Sequence, residues 1–259
     1  MRNWIIGAAA AIAVVAAPSV AAAQATGFVD LSYVNSNLEQ GATDIDIDTV
    51  AVGGSVAFDM QGVGLQLDAR VGNADADGGD IDFWNIGGHI YKRTANWLFG
   101  AYVGGGNVDS SPGTDADEWT VALETQYYMN RTTLNGAISY SEVDDANIDA
   151  TAVDLGVQHF VHDNLSIGAN VGFANLDTAG GDVDSTTLGV DAEWQMATLP
   201  VSIYGGYQRT DVDDANIESD AFYVGVRYNW GGTLYDRNRS GAGLARRQGV
   251  FGRLLGPAV

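Results

Sequence analysis

Leu65-Gln66-Leu67-Asp68-Ala69-Arg70-Val71 places four apolar residues at every second position and an amide, a carboxylate and a guanidinium between them. In an extended chain successive side chains point to opposite faces, so one face of this segment is greasy and the other is charged. The same alternation recurs twelve times between Gly27 and Trp230. Strands whose two faces must meet hydrocarbon and water show this dyad pattern. The expected fold class is therefore all-β: a 12-stranded antiparallel up-and-down transmembrane barrel, with residues 24–230 as the barrel. Twelve is even, as closure of such a barrel requires.

Working outward, Val29, Leu31 and Tyr33 alternate with Asp30 and Ser32, and Val50, Val52, Val56 and Phe58 alternate with Thr49, Ala51, Ser55 and Asp59. Farther along, Trp119, Val121, Leu123 and Tyr127 share a face, as do Phe222, Val224, Val226, Tyr228 and Trp230. Tight connections are expected near Gln61-Gly62, Arg93-Thr94, Asn130-Arg131, His162-Asp163 and Thr198-Leu199. Longer polar loops are expected around Gly41, Gly78, Pro112, Asp145, Gly180 and Asn216. Outer-membrane barrels have short periplasmic turns and longer external loops, so the tight turns and both ends of the barrel segment are assigned to the periplasm. On the outward face, Phe58, Trp97, Tyr127, Trp194 and Trp230 fall at the short-turn end. Tyr33, Trp84, Trp119, Tyr140, Phe173, Tyr207 and Phe222 fall at the other, which gives two interfacial girdles.

Composition removes several classes of function. The 259 residues carry a formal charge of -21 and no cysteine. That charge argues against nucleic acid as a partner, because phosphate contact needs a basic face. The missing cysteine removes disulfides, thiolate metal sites and a thiol nucleophile. Residues 1–23 read as a signal peptide: Arg2, an apolar run from Trp4 to Ala17, and Ala21-Ala22-Ala23 before the cut. The segment Ser141-Glu-Val-Asp-Asp-Ala-Asn-Ile-Asp149 recurs as Thr210-Asp-Val-Asp-Asp-Ala-Asn-Ile-Glu218, which hairpin duplication explains.

The export signal, the alternating strands, the Asp-rich loops and the final Tyr-Val-Gly-Val-Arg-Tyr-Asn-Trp230 resemble a small outer-membrane porin of Gram-negative bacteria. The resemblance implies a place in the cell outer membrane and passive diffusion of small hydrophilic solutes. The partners it implies are outer-membrane lipid, lipopolysaccharide and the barrel-assembly machinery. General porins have sixteen strands and a long third loop; this chain has twelve strands, a short third loop and 29 residues beyond Trp230.

The inward phase sends Asp30, Asp68, Glu124, Asp154, Asp191 and Glu193 into the lumen with Arg70 and Arg227. An ion pair Asp30–Arg227 is expected where the last strand closes on the first. Glu124, Asp154, Asp191 and Glu193 on the far wall face the arginines, an arrangement similar to a porin constriction. Inward glycines at 53, 72, 87, 104, 168, 189 and 225 leave room for water. Most of the 33 acidic residues crowd the polar loops, including Asp75, Asp77, Asp144, Asp145, Asp213 and Asp214. Such a rim attracts cations and is a place where Ca2+ or Mg2+ is shared with lipopolysaccharide phosphates. Asn73-Ala-Asp75-Ala-Asp77-Gly78 resembles the start of a calcium loop, but Trp84 stands where a bidentate Glu is needed.

The tail, residues 231–259, holds five of the twelve basic residues: Arg237, Arg239, Arg246, Arg247 and Arg253. Leu244, Phe251 and Leu255 have helical spacing, so a basic amphipathic helix is expected over 243–255. The tail is open to four placements: a plug in the acidic lumen, a contact with anionic lipid, a contact with the cell wall, or free chain in the periplasm. No catalysis is expected, since His89, His159 and His162 lie near the short-turn end without a serine beside them. The alternative to a pore is a non-conducting barrel serving as a structural, adhesin or receptor protein.

Overall fold

A computed structural model describes residues 25–41, 43–60, 63–76, 79–110, 113–144, 148–178, 180–213, 217–247 and 249–250. The expected signal peptide, Asp77, Asp145, Asp214 and the tail beyond Val250 lie outside the described residues. Twelve strands follow one another: β1 (Ala25–Gln40), β2 (Thr43–Met60), β3 (Val63–Ala76), β4 (Gly79–Arg93), β5 (Trp97–Ser110), β6 (Thr114–Met129), β7 (Thr132–Val143), β8 (Ile148–His162), β9 (Leu165–Thr178), β10 (Gly181–Gln195), β11 (Val201–Val212) and β12 (Ile217–Trp230). Each pairs antiparallel with its neighbours, and β12 closes on β1 to complete the barrel. A short helix, α1 (Leu234–Ser240), follows.

The barrel is inverted relative to a soluble fold. Its large apolar side chains face out, with Leu123 65%, Val103 63% and Ile90 62% exposed, whereas Gln66, His89 and Ser166 inside are fully buried. An apolar band of this extent on a closed barrel is the surface that lipid covers. Both aromatic rows fall where the alternation places them: Trp97 packs against Tyr127 at one end of the band, and Trp119 against Tyr140 at the other.

The loops differ from the sequence expectation. β1 and β2 are separated only by residues 41–42, β3 and β4 by 77–78, β9 and β10 by 179–180. The polar stretches taken for loops are strand continuations, so the strands run 12–18 residues where about 9–11 suffice to cross a bilayer. The reason lies on the outward face just beyond the aromatic row. There Asn35 donates to Asp48 at 2.9 Å, Asn73 to Asp82 at 3.0 Å, Asn107 to Asp117 at 2.9 Å and Asn175 to Asp184 at 2.9 Å. Each pair is directly opposed across its hairpin. Arg209 answers Asp220 and Glu218 in the β11–β12 hairpin, while β7–β8 opposes Glu142 to Asp149. Cross-strand amide–carboxylate rungs keep the sheet going above the membrane although no apolar face remains. This end is called the acidic rim and the opposite end the turn rim.

Candidate functional site

The register sets the inner wall. Asp30 lies opposite Arg227 across the β1–β12 seam, as expected from closure, with Nη2 3.3 Å from Oδ2. Arg227 also donates to Glu193 at 2.7 Å, and its guanidinium lies 4.0 Å from the Phe28 ring centroid. Tyr204 donates to Asp30 at 3.0 Å. A second group joins β3, β4 and β6: His89 contacts Asp68 at 2.6 Å through Nε2 and Glu124 at 2.7 Å through Nδ1. Each contact needs a proton, and a neutral imidazole carries one, so the Asp68–His89–Glu124 bridge holds one proton more than a neutral ring with two carboxylates. Arg70 sits 5.5 Å from the Phe83 ring and within electrostatic reach of Asp30 and Tyr204 of the first group.

The described tail lies inside this wall. Thr233 caps α1 in a reciprocal box with Asp236, which fixes the chain's turn from β12 back into the lumen. Asn238 accepts from Thr133 at 2.6 Å and donates to Gln158 at 3.1 Å. Arg237 donates to Gln195 at 3.1 Å. Residues 241–247 are not helical: Ala242 N–H donates to Thr26, and Gln126 donates to the Gly243 carbonyl at 2.8 Å. Leu244 seats against Tyr91, Leu98 and Tyr128. Arg246 reaches Asp30 with both terminal nitrogens, at 2.8 and 2.6 Å. Arg247 reaches Glu124 at 2.6 Å and Asp154 at 3.2 Å. Val250 ends the described path among Ala116, Val143 and Ala150, at the acidic rim. The tail therefore runs the length of the lumen.

Glycines make the fit. A Cβ at Gly53 would stand 2.0 Å from Arg246 Nη1, so the Asp30–Arg246 pair occupies the space that a side chain on β2 would take. Elsewhere the inward glycines are covered by rings: Tyr102 over Gly87 and Gly104, Tyr204 over Gly225. Small inward residues thus receive neighbouring side chains more than water, which corrects the expectation that they open the lumen. What stays open is a cavity of about 400 Å3 between the tail and β6–β12, where Asn135, Asn170, Thr187, Gln208 and Asp191 face it.

A family model described as Gram-negative porin matches residues 32–179, more than half of the chain. The chain belongs to the Gram-negative porin family. No curated protein matches it. Its fold is similar to an outer membrane channel from Pseudomonas putida F1, at 11% identity over 80% of this chain and 95% of that chain, with a TM-score of 0.62. It is also similar to the beta domain of the Bordetella autotransporter BrkA, at 13% identity over 79% and 100%, TM-score 0.58. The translocator domain of autotransporter NalP from Neisseria meningitidis gives 11% identity over 85% and 92%, TM-score 0.54. At these identities the likeness is one of fold. Family and neighbours place the chain in the outer membrane.

In this porin-family barrel six of the eight wall residues expected to form a constriction join two ion-paired groups, and Arg70 lies within electrostatic reach of the first. Asp30, Arg227 and Glu193 meet one another, and Asp68 and Glu124 meet through His89. Asp154 joins Glu124 through Arg247 of the tail. Asp191 has no hydrogen bond or ion pair among the described residues and faces the cavity. Beyond the expected Asp30–Arg227 pair, Arg227 also meets the far-wall Glu193, and the tail arginines Arg246 and Arg247 meet Asp30, Glu124 and Asp154. His89, Gln66 and Gln126 were missed, although the inward phase of the sequence puts each beside an acid or a tail contact.

Other expectations are corrected as well. A helix lies at 234–240, where the Thr233–Asp236 box nucleates it; of the helix expected over 243–255, residues 243–247 are not helical, Val250 is, and 251–255 lie outside the described residues. The described tail is not free periplasmic chain. Among the described residues no group of three or more acids or histidines is close enough to hold a metal; Asp77, Asp145 and Asp214, the neighbours expected for Asp75, Asp144 and Asp213, lie outside them. Asp75 belongs to strand β3 and not to a calcium loop. His159, on the lipid face, is opposed to Thr132 and Ile167, with Thr132 Oγ1 at 3.0 Å.

Proposed function

We propose that this barrel is a porin that passes small hydrophilic solutes, leaning toward cations, along the polar side of its lumen, with the tail setting the width of the path. The observation that carries the reading is the cavity beside the tail, lined by amides, hydroxyls and Asp191, which has no ion pair among the described residues. Polar lining and an acidic mouth favour hydrated cations over anions. The acidic rim faces outward to lipopolysaccharide and the turn rim faces the periplasm, since outer-membrane barrels extend on the external side. The chain acts as a passage and not as an enzyme in this reading.

The tail running from rim to rim favours a second reading, a barrel closed to solutes that serves the envelope as a structural, adhesin or receptor protein. Planar-bilayer conductance of the refolded protein, with and without residues 231–259, separates the two. Steps from the truncated barrel, larger than those of the full chain, support the porin; silence from both refutes it. Folding of each sample is checked by its heat-dependent electrophoretic mobility.

A further inference from the structure

We propose that the lumen carries a binding site for a basic peptide with two adjacent arginines, and that the tail is its tethered occupant. The wall reads backbone and side chains separately. The Gln66 amide donates from Nε2 to the Leu244 carbonyl at 2.9 Å, and its Oε1 accepts from the Leu244 N–H at 3.3 Å. One side chain thereby satisfies both main-chain groups of a residue, as a neighbouring strand would. Gln126 adds a second donor at the Gly243 carbonyl. These contacts are indifferent to peptide sequence.

Specificity comes from the next two positions. Asp30 grips Arg246 with two charge-assisted hydrogen bonds, in the space Gly53 leaves empty and with the guanidinium 5.3 Å from the Phe28 ring centroid. Glu124 and Asp154 share Arg247, and His89 fixes Glu124 from behind. A planar fork of donors fits such carboxylate seats, and a lysine ammonium does not. The seats come from strands of the wall, and the cavity beside the tail gives an incoming chain room to lie while the occupant leaves. The inference deepens the proposed passage by naming a solute class, short arginine-bearing peptides, and rests on that reading for its transport role alone.

The test uses the full-length protein in detergent and a fluorescent heptapeptide of the sequence 243–249, Gly-Leu-Ala-Arg-Arg-Gln-Gly, capped at both ends. A tethered competitor acts at roughly millimolar effective concentration. The R246Q/R247Q variant, whose tail has lost its anchors, is therefore expected to bind the peptide at least tenfold more tightly than wild type. Adding Asp30→Asn is expected to lower that affinity at least tenfold; Glu124→Gln serves if the first substitution prevents folding. The corresponding Lys-Lys peptide is expected to bind at least fivefold more weakly. Equal affinity of wild type and R246Q/R247Q, or indifference to the carboxylate substitution, overturns the site. Equal binding of the lysine peptide overturns its guanidinium specificity. Conductance of the barrel without residues 231–259 keeps the two proposals apart: peptide binding by R246Q/R247Q with a silent truncated barrel leaves the site standing and removes the porin, and current without binding does the reverse.

Discussion

Replacing Asp30 with Asn should release the tail while leaving the barrel closed. Asp30 is 4% exposed and takes two bonds from Arg246, one from Arg227 and one from Tyr204. Arg227 keeps Glu193 at 2.7 Å, but Asp30 is the one carboxylate paired with Arg246 among the described residues. Stranding a buried charge costs about 3–5 kcal/mol, and the lower end applies here because the cavity lets water approach. At 1.4 kcal/mol per decade, the ratio of released to docked tail should rise about 100-fold. The chain has no cysteine, so Ala242→Cys, at a buried position that binds Thr26 through its backbone, provides a unique thiol. Its reaction with a polar maleimide reports the released fraction when docking is fast relative to labelling. Rates should differ by about two decades with and without Asp30→Asn. Rates within threefold of each other refute the idea that this ion pair holds the tail.

Gly53→Val should act from the other side of the same contact, because its side chain takes the place of the Arg246 guanidinium; bilayer current should rise and Ala242→Cys should label faster. Asp191→Asn should move the reversal potential in a salt gradient toward zero without changing that labelling, since among the described residues no tail arginine pairs with Asp191. Leu123→Arg, at the centre of the lipid band, should destabilise the barrel by about 2–4 kcal/mol in urea titrations in lipid vesicles.

The wall was legible in the sequence because the period-two pattern is local and closure is a counting rule. Together these placed Asp30 opposite Arg227 and both aromatic rows. The hairpin lengths were not, since Asn35, Asn73 and Asn107 and their aspartate partners replace the apolar face with a polar one and erase the contrast that marks a strand. The lumen's filling was not legible either. Whether Gly87 faces water or Tyr102 depends on a rotamer from the neighbouring strand. The tail's charge pointed to the acidic lumen as one of several destinations, yet only tertiary contacts select it. Thr233-Leu-Tyr-Asp236 did carry a readable cap, and weighing apolar spacing alone passed over the helix that this cap starts at 234.

The account turns on a tail threaded through a membrane barrel. Cysteines at Ala116 and Val250, which pack together at the acidic rim, measure this directly in protein folded into lipid vesicles. Oxidation should join them within one chain and produce a faster-migrating species that reduction reverses. Folded barrels that give no such cross-link contradict the threading and everything built on it.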